Sequence, residues 1–197
     1  KHVYPEQVAC EGITDITLDD VELADNFNCV IKLIGHAARL ENGKITASVR
    51  PTVVSRENVL SGVHGVFNAI TVNGDATGDV MFYGKGAGKM PTASAVVADV
   101  IDCAKHISAR KYLGWEEGSN DYVVIPDTDT RLYVYAKADD FDALVQSFDA
   151  NFNGTVCVKN AYKGEIAFIT DTDKESVLRE KIARLASNSV KVLHTLF

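Results

Sequence analysis

The residues with the most specific chemical look form one run, Phe82-Tyr83-Gly84-Lys85-Gly86-Ala87-Gly88-Lys89-Met90-Pro91-Thr92-Ala93-Ser94. It reads as the end of a strand, a glycine loop and the start of a helix. Glycines there let backbone amides come close to an anion, and a helix N-terminus adds a favourable dipole. A phosphate-facing loop is one reading, and a structural glycine turn is the other. Neither common phosphate pattern is met. GxxxxGK[ST] would need Gly where Tyr83 stands, and Ser or Thr where Met90 follows Lys89. GxGxxG would need Gly in place of Lys89, and no strand with an acidic residue follows the helix.

Other reactive side chains are more scattered. Lys32, Lys85 and Lys89 are conceivable proton donors, but no carboxylate constellation is readable beside them. His36 and His64 invite a general-base reading, although a single His on a strand or loop is more often packed or solvated. Asp75 with Asp79 suits turn chemistry better than a metal pair, and the five histidines lack ligand spacing, so no metal site is expected. Cys10, Cys29, Cys103 and Cys157 are far apart and include no CxxC pair. They read as scattered buried thiols of a reducing compartment rather than as disulfide partners.

A net charge of −7 and a pI near 5.2 exclude a nucleic-acid partner, which would need a basic footprint against the phosphates. No apolar run reaches the ~20 residues that span a bilayer, and Lys-His-Val-Tyr-Pro at the start is not signal-like, so a cytoplasmic location and no membrane contact are expected. The start is also abrupt. Val8 to Ile13 already reads as the interior of a domain, so a fragment of a longer protein is expected. With 197 residues the chain is long enough for two small domains.

The elements that would position the glycine run follow from patterning. Thr17-Leu18-Asp19-Asp20 opens a short helix that ends near Asn26 to Asn28, with Thr17 as cap and the acids at the positive end. Cys29 to Leu40 and Lys44 to Ser55 form a hairpin about Asn42-Gly43, and Pro51 marks an edge or a break. Gly65 to Val72 and Asp79 to Tyr83 form a second antiparallel pair, and a helix, mostly buried, is expected from about Pro91 to Arg110. Residues 112 to 129 lack a sustained period and read as a linker. Beyond 130 the order is strand, helix, strand, strand, helix, strand, which is the ferredoxin-like βαββαβ arrangement. The fold class is therefore α+β: an antiparallel or mixed sheet with helices over 1–111, then the βαββαβ domain over 130–197.

Several motifs occur in a fixed order: Arg50-Pro51-Thr52, Gly65-Val66-Phe67-Asn68-Ala69-Ile70, Gly74-Asp75, the Phe82 to Gly88 run, and Pro91-Thr92-Ala93-Ser94-Ala95-Val96-Val97. With Glu11-Gly12-Ile13 and Ile31-Lys32-Leu33 upstream, residues of about 5 to 105 resemble homoserine dehydrogenase. The resemblance implies an enzyme that interconverts aspartate semialdehyde and homoserine with NAD(P)H in threonine, methionine and isoleucine biosynthesis. It implies a homodimer formed through the central sheet, and a Rossmann domain that precedes this stretch. It also implies that Gly86, Ala87, Gly88 and Thr92 close on the cofactor, while the catalytic lysine lies N-terminal to Lys1. No catalytic residue is then expected in this chain, no tight NAD(P) binding by it alone, and no turnover.

The βαββαβ part stands where many bacterial members of that family carry an ACT domain, a small amino-acid-sensing module. Its usual first loop is Asp-x-Pro-Gly-x-Leu, and here it is Asp139-Asp140-Phe141-Asp142-Ala143-Leu144. A carboxylate at Asp142 would crowd and repel an amino-acid carboxylate. An amino-acid effector and a purely scaffolding role both stand. A different class of function is a free-standing module that senses an amino acid and uses its sheet for assembly.

Overall fold

The computed structural model describes residues 1–109, 114 and 116–197. In chain order the elements are β1 (Ala9–Cys10), α1 (Leu18–Asp25), β2 (Cys29–Arg39), β3 (Ile45–Ser55), β4 (Phe67–Gly74), β5 (Gly78–Lys85) and α2 (Lys89–Lys105). Then come β6 (Asp129–Thr130), β7 (Leu132–Lys137), α3 (Phe141–Asn151), β8 (Cys157–Asn160), β9 (Glu165–Ile169), β10 (Asp173–Lys174), α4 (Glu175–Ala183) and β11 (Ser189–Leu196). The class is α+β, as expected. Two compact units emerge, one of residues 1–61 with 116–197 and one of 62–115.

The larger unit is built on a seven-stranded sheet. Its C-terminal part has the strand order β11-β7-β9-β8 with every neighbour antiparallel, which is the ferredoxin-like pattern read from the sequence. Alternation along β7 sorts its side chains onto two faces. Leu132, Val134 and Ala136 meet Leu144 and Phe148 of α3 and Leu178 and Ile182 of α4. Tyr133 turns the other way, into a second core with Ala24 of α1, Cys29, Val53 and Leu193. Each large side chain so buried stabilises by roughly 1.5–3 kcal/mol.

The sheet crosses the boundary expected between 1–111 and 130–197. β2 pairs with β3 along its whole length, so the other edge of β3 is shared end to end by β1 at Ser48 and Val49 and by β11 at Thr52 to Val54. Pro51 sits at that handover. Ile45 and Val49 turn their backbone groups away from β2, toward Tyr122 and Val124 and toward Glu11 respectively. By alternation Pro51 faces the same edge, and its missing donor falls between the end of β1 and the start of β11. The described part of the expected linker is tied down as well: the His2 amide donates to Glu116 O at 2.8 Å, and Gln7 Nε2 to Ser119 O at 2.9 Å. Residues 110–113 and 115 lie outside the described residues.

The smaller unit consists of the β4–β5 hairpin and α2. Strand pairing runs from Phe67 with Lys85 to Gly74 with Gly78. The expectation that the helix is mostly buried is corrected here: no described residue of this unit is buried, and Val96, Val97, Val100 and Ile101 are each about half exposed or more. α2 is apolar round most of its girth, and one two-stranded hairpin offers too little surface to cover it. Its expected end at Arg110 lies outside the described residues. The thiols also divide, with Cys29 buried and Cys157 half-buried but Cys10 and Cys103 exposed. Among the described residues, no helix is long and apolar enough to cross a membrane.

Candidate functional site

The hairpin delivers the glycine loop to the start of α2. β5 ends at Lys85, and the Gly86 amide still donates to Val66 O at 3.0 Å, which prolongs the hairpin by one rung. Gly88 then turns the chain. Its φ of +119° lies in the region that side chains avoid, and it is the residue that caps α2. The Thr92 amide donates to Gly88 O at 3.1 Å, the first rung of the helix. Pro91 spends no donor there, and the amides of Lys89 and Met90 have no acceptor within the helix.

An open hollow runs along the first turns of α2, lined by Gly88, Lys89, Thr92, Ala93, Val96 and Val97. Gly88, Lys89 and Thr92 stand at the helix start, and the lining is mostly apolar, with Ala93, Val96 and Val97 further along. This arrangement suits a ligand with an anionic or strongly polar end and a flat apolar part. Of the four residues singled out in the sequence, Gly88 and Thr92 share the lining, while Gly86 and Ala87 lie in the loop leading to it. Lys85 stands over the Phe67 ring at 6.0 Å, and Phe67 stacks on Tyr83 at 4.9 Å.

The remaining candidates fall elsewhere. Lys32 lies on β2 opposite Thr52, with burial holding its ammonium below the usual lysine range. His36 is exposed on β2 opposite Ser48, and His64 is exposed, with its carbonyl accepting from the Phe67 amide. Asp79 accepts from Asn73 Nδ2 at 2.6 Å at the hairpin end, and no group of three or more potential metal ligands occurs among the described residues.

Two ionisable clusters in the larger unit are almost unmarked by patterning. Asp20, 2% exposed, takes the Thr17 amide at 2.7 Å, the Thr17 hydroxyl at 2.8 Å and the Lys191 ammonium on one oxygen. Lys191 also reaches Asp15 O at 2.6 Å. The neighbouring Tyr133 hydroxyl is buried without a partner, and burial, with Asp20 and Tyr135 nearby, pushes its phenol far above the usual range. In the second cluster, Arg50 of β3 contacts His194 Nε2 of β11, and Glu175 of α4 lies 3.6 Å from the same nitrogen. Burial first, and Arg50 second, hold His194 below the usual histidine value. The only sequence signal for either cluster was the Thr17–Asp20 cap.

Fold and site together define an α+β protein: a ferredoxin-like sheet continued by an N-terminal hairpin, and a separate hairpin whose glycine loop opens a helix beside an open hollow. A family model described as homoserine dehydrogenase matches residues 1–101. The homoserine dehydrogenase of Synechocystis sp. is 46% identical over 103 residues, covering 51% of this chain and 24% of that protein. That of Helicobacter pylori is 33% identical over 201 residues, covering 96% of this chain and 47% of that protein. A crystal structure of S. aureus homoserine dehydrogenase superposes with a TM-score of 0.74 at 30% identity, over all of this chain and 49% of that one. The chain belongs to the homoserine dehydrogenase family. It spans at most about half the length of these relatives.

Proposed function

We propose that the chain is the C-terminal half of a homoserine dehydrogenase that interconverts L-aspartate 4-semialdehyde and L-homoserine with NAD(P)H, and that it is inert by itself. The observation that carries this reading is the build of the glycine loop. Gly88 exposes backbone where a side chain would strain it, the first turn of α2 offers unpaired amides, and the hollow beside Thr92 is mostly apolar. Such a surface fits a nicotinamide ribose phosphate. Gly86, Ala87, Gly88 and Thr92 would hold and orient it, with Val96 and Val97 keeping water from its apolar side. When bound, that group supplies or accepts the hydride. The lysine that manages the substrate proton belongs to the preceding half, as do the residues that choose between NAD and NADP.

The half-exposed apolar side chains of the β4–β5 hairpin and α2, among them Ile70, Phe82, Val96 and Val100, support a homodimer in which this unit is covered. They weigh against a free-standing sensing module, which would carry this surface into solvent. The ferredoxin-like part is ACT-like in its strand order. Its first loop is closed by Asn188, whose Oδ1 takes the Asp139 amide at 2.7 Å, and Asp140 caps α3 at the Ala143 amide. Effector binding and scaffolding both fit that loop, and Asp142, exposed in the first turn of α3, favours scaffolding. A cytoplasmic location is part of the same proposal, supported by the absence of a helix long and apolar enough to cross a membrane among the described residues.

The reading frame upstream of Lys1 tests the proposal. A glycine fingerprint between a strand and a helix, followed by a segment with acidic residues and a lysine, is expected there. A start codon directly ahead of Lys1 would overturn it.

A further inference from the structure

We propose that Asn68 is a positioning residue for the glycine loop, its carboxamide lying across Gly86 and fixing where the chain turns into α2. This rests on the reading that the loop closes on a nicotinamide cofactor. Asn68 pairs with Gly84 across the hairpin, so residues 84 and 86 share its face by the two-residue period of a strand. Gly84 leaves that face open, with nothing within 4 Å of where its Cβ would stand. The carboxamide leans past it onto Gly86, where a Cβ would lie 1.4 Å from Asn68 Nδ2 and 2.7 Å from Cγ. The Gly86 amide is held at the same point by Val66 O at 3.0 Å.

Gly86 is thus gripped by backbone on its edge and by a carboxamide on its face. Gly88, whose positive φ starts α2, comes two residues later, so any shift at Gly86 moves the hollow beside Thr92. Asn68 is exposed, and its side chain adds nothing to a core. A short, rigid amide packed against a glycine backbone suits placing a loop rather than stabilising a fold.

Two measurements test this. On the chain itself, hydrogen exchange at the Gly86 amide should accelerate roughly tenfold in Asn68→Ala with little change in overall unfolding. In the full-length enzyme, Asn68→Ala and Gly86→Ala should each raise the cofactor KM by roughly tenfold while the homoserine KM stays within about twofold. Because both remove the same contact, the double variant should be no worse than the worse single one. Unchanged exchange, an unchanged cofactor KM in Asn68→Ala, or multiplied losses in the double variant would each overturn the proposal. A wild-type enzyme without nicotinamide turnover would instead overturn the functional reading, and the exchange result would still decide on Asn68.

Discussion

Asp20 carries three donors on one oxygen while almost wholly buried, so its charge is stabilised only as long as Lys191 and Thr17 stay in place. Asp20→Ala keeps the Thr17 cap on the backbone amide of residue 20, removes the carboxylate half of the capping box, and leaves the Lys191 side chain, three-quarters buried, without its carboxylate. A loss of about 3 kcal/mol in urea unfolding is expected from such a broken pair. A loss below roughly 1 kcal/mol would mean that the pair does not fasten α1 to β11. At this scale sequence reading was uneven. The glycine turn into a helix was legible because glycine spacing and a helix start are local patterns, whereas a role for Gly88 and Thr92 came only from the family resemblance. Lys191 lies 171 residues from Asp20, and Asn68 acts through a diagonal across a hairpin. No local pattern carries either contact.

β3 and β11 meet at a junction of charge as well as of strands. His194 is faced by Arg50 and Glu11 from the N-terminal side and by Glu175 and Arg179 from α4. Its imidazole titrates below the ordinary value, so the unfolded chain binds a proton that the folded chain refuses. Stability should therefore fall as pH drops through about 6.5, the unfolded value, and should go on falling until the folded imidazole also protonates. His194→Gln keeps an acceptor for Arg50 and removes the titration. Thermal unfolding between about pH 7.5 and 5.5 should slope less steeply in the variant. Equal slopes would show that His194 does not contribute. Among the elements, the β2–β3 hairpin, the capped α1 and the whole βαββαβ series could be read from period and turns, since each is a local pattern closed by a local signal. The parallel pairing of β3 with β11 could not, because it joins residues 142 apart in the chain with no intervening motif. The exposure of α2 was missed for a related reason: an all-round apolar helix predicts that something covers it, and within its own unit the described residues supply only a hairpin.

Across the molecule, the shared sheet makes the ferredoxin-like part continuous with the N-terminal hairpin, while the glycine loop and its hollow sit in a unit in which none of the described residues is buried. The most direct measurement is homoserine-dependent reduction of NAD and NADP, followed by nicotinamide absorbance, for residues 1–197 alone and for the same chain preceded by its N-terminal half. Turnover is expected from the longer protein with at least one of the two cofactors, and none above a no-protein control from the chain alone. Turnover by the chain alone, or none by the longer protein with either cofactor, would contradict the account.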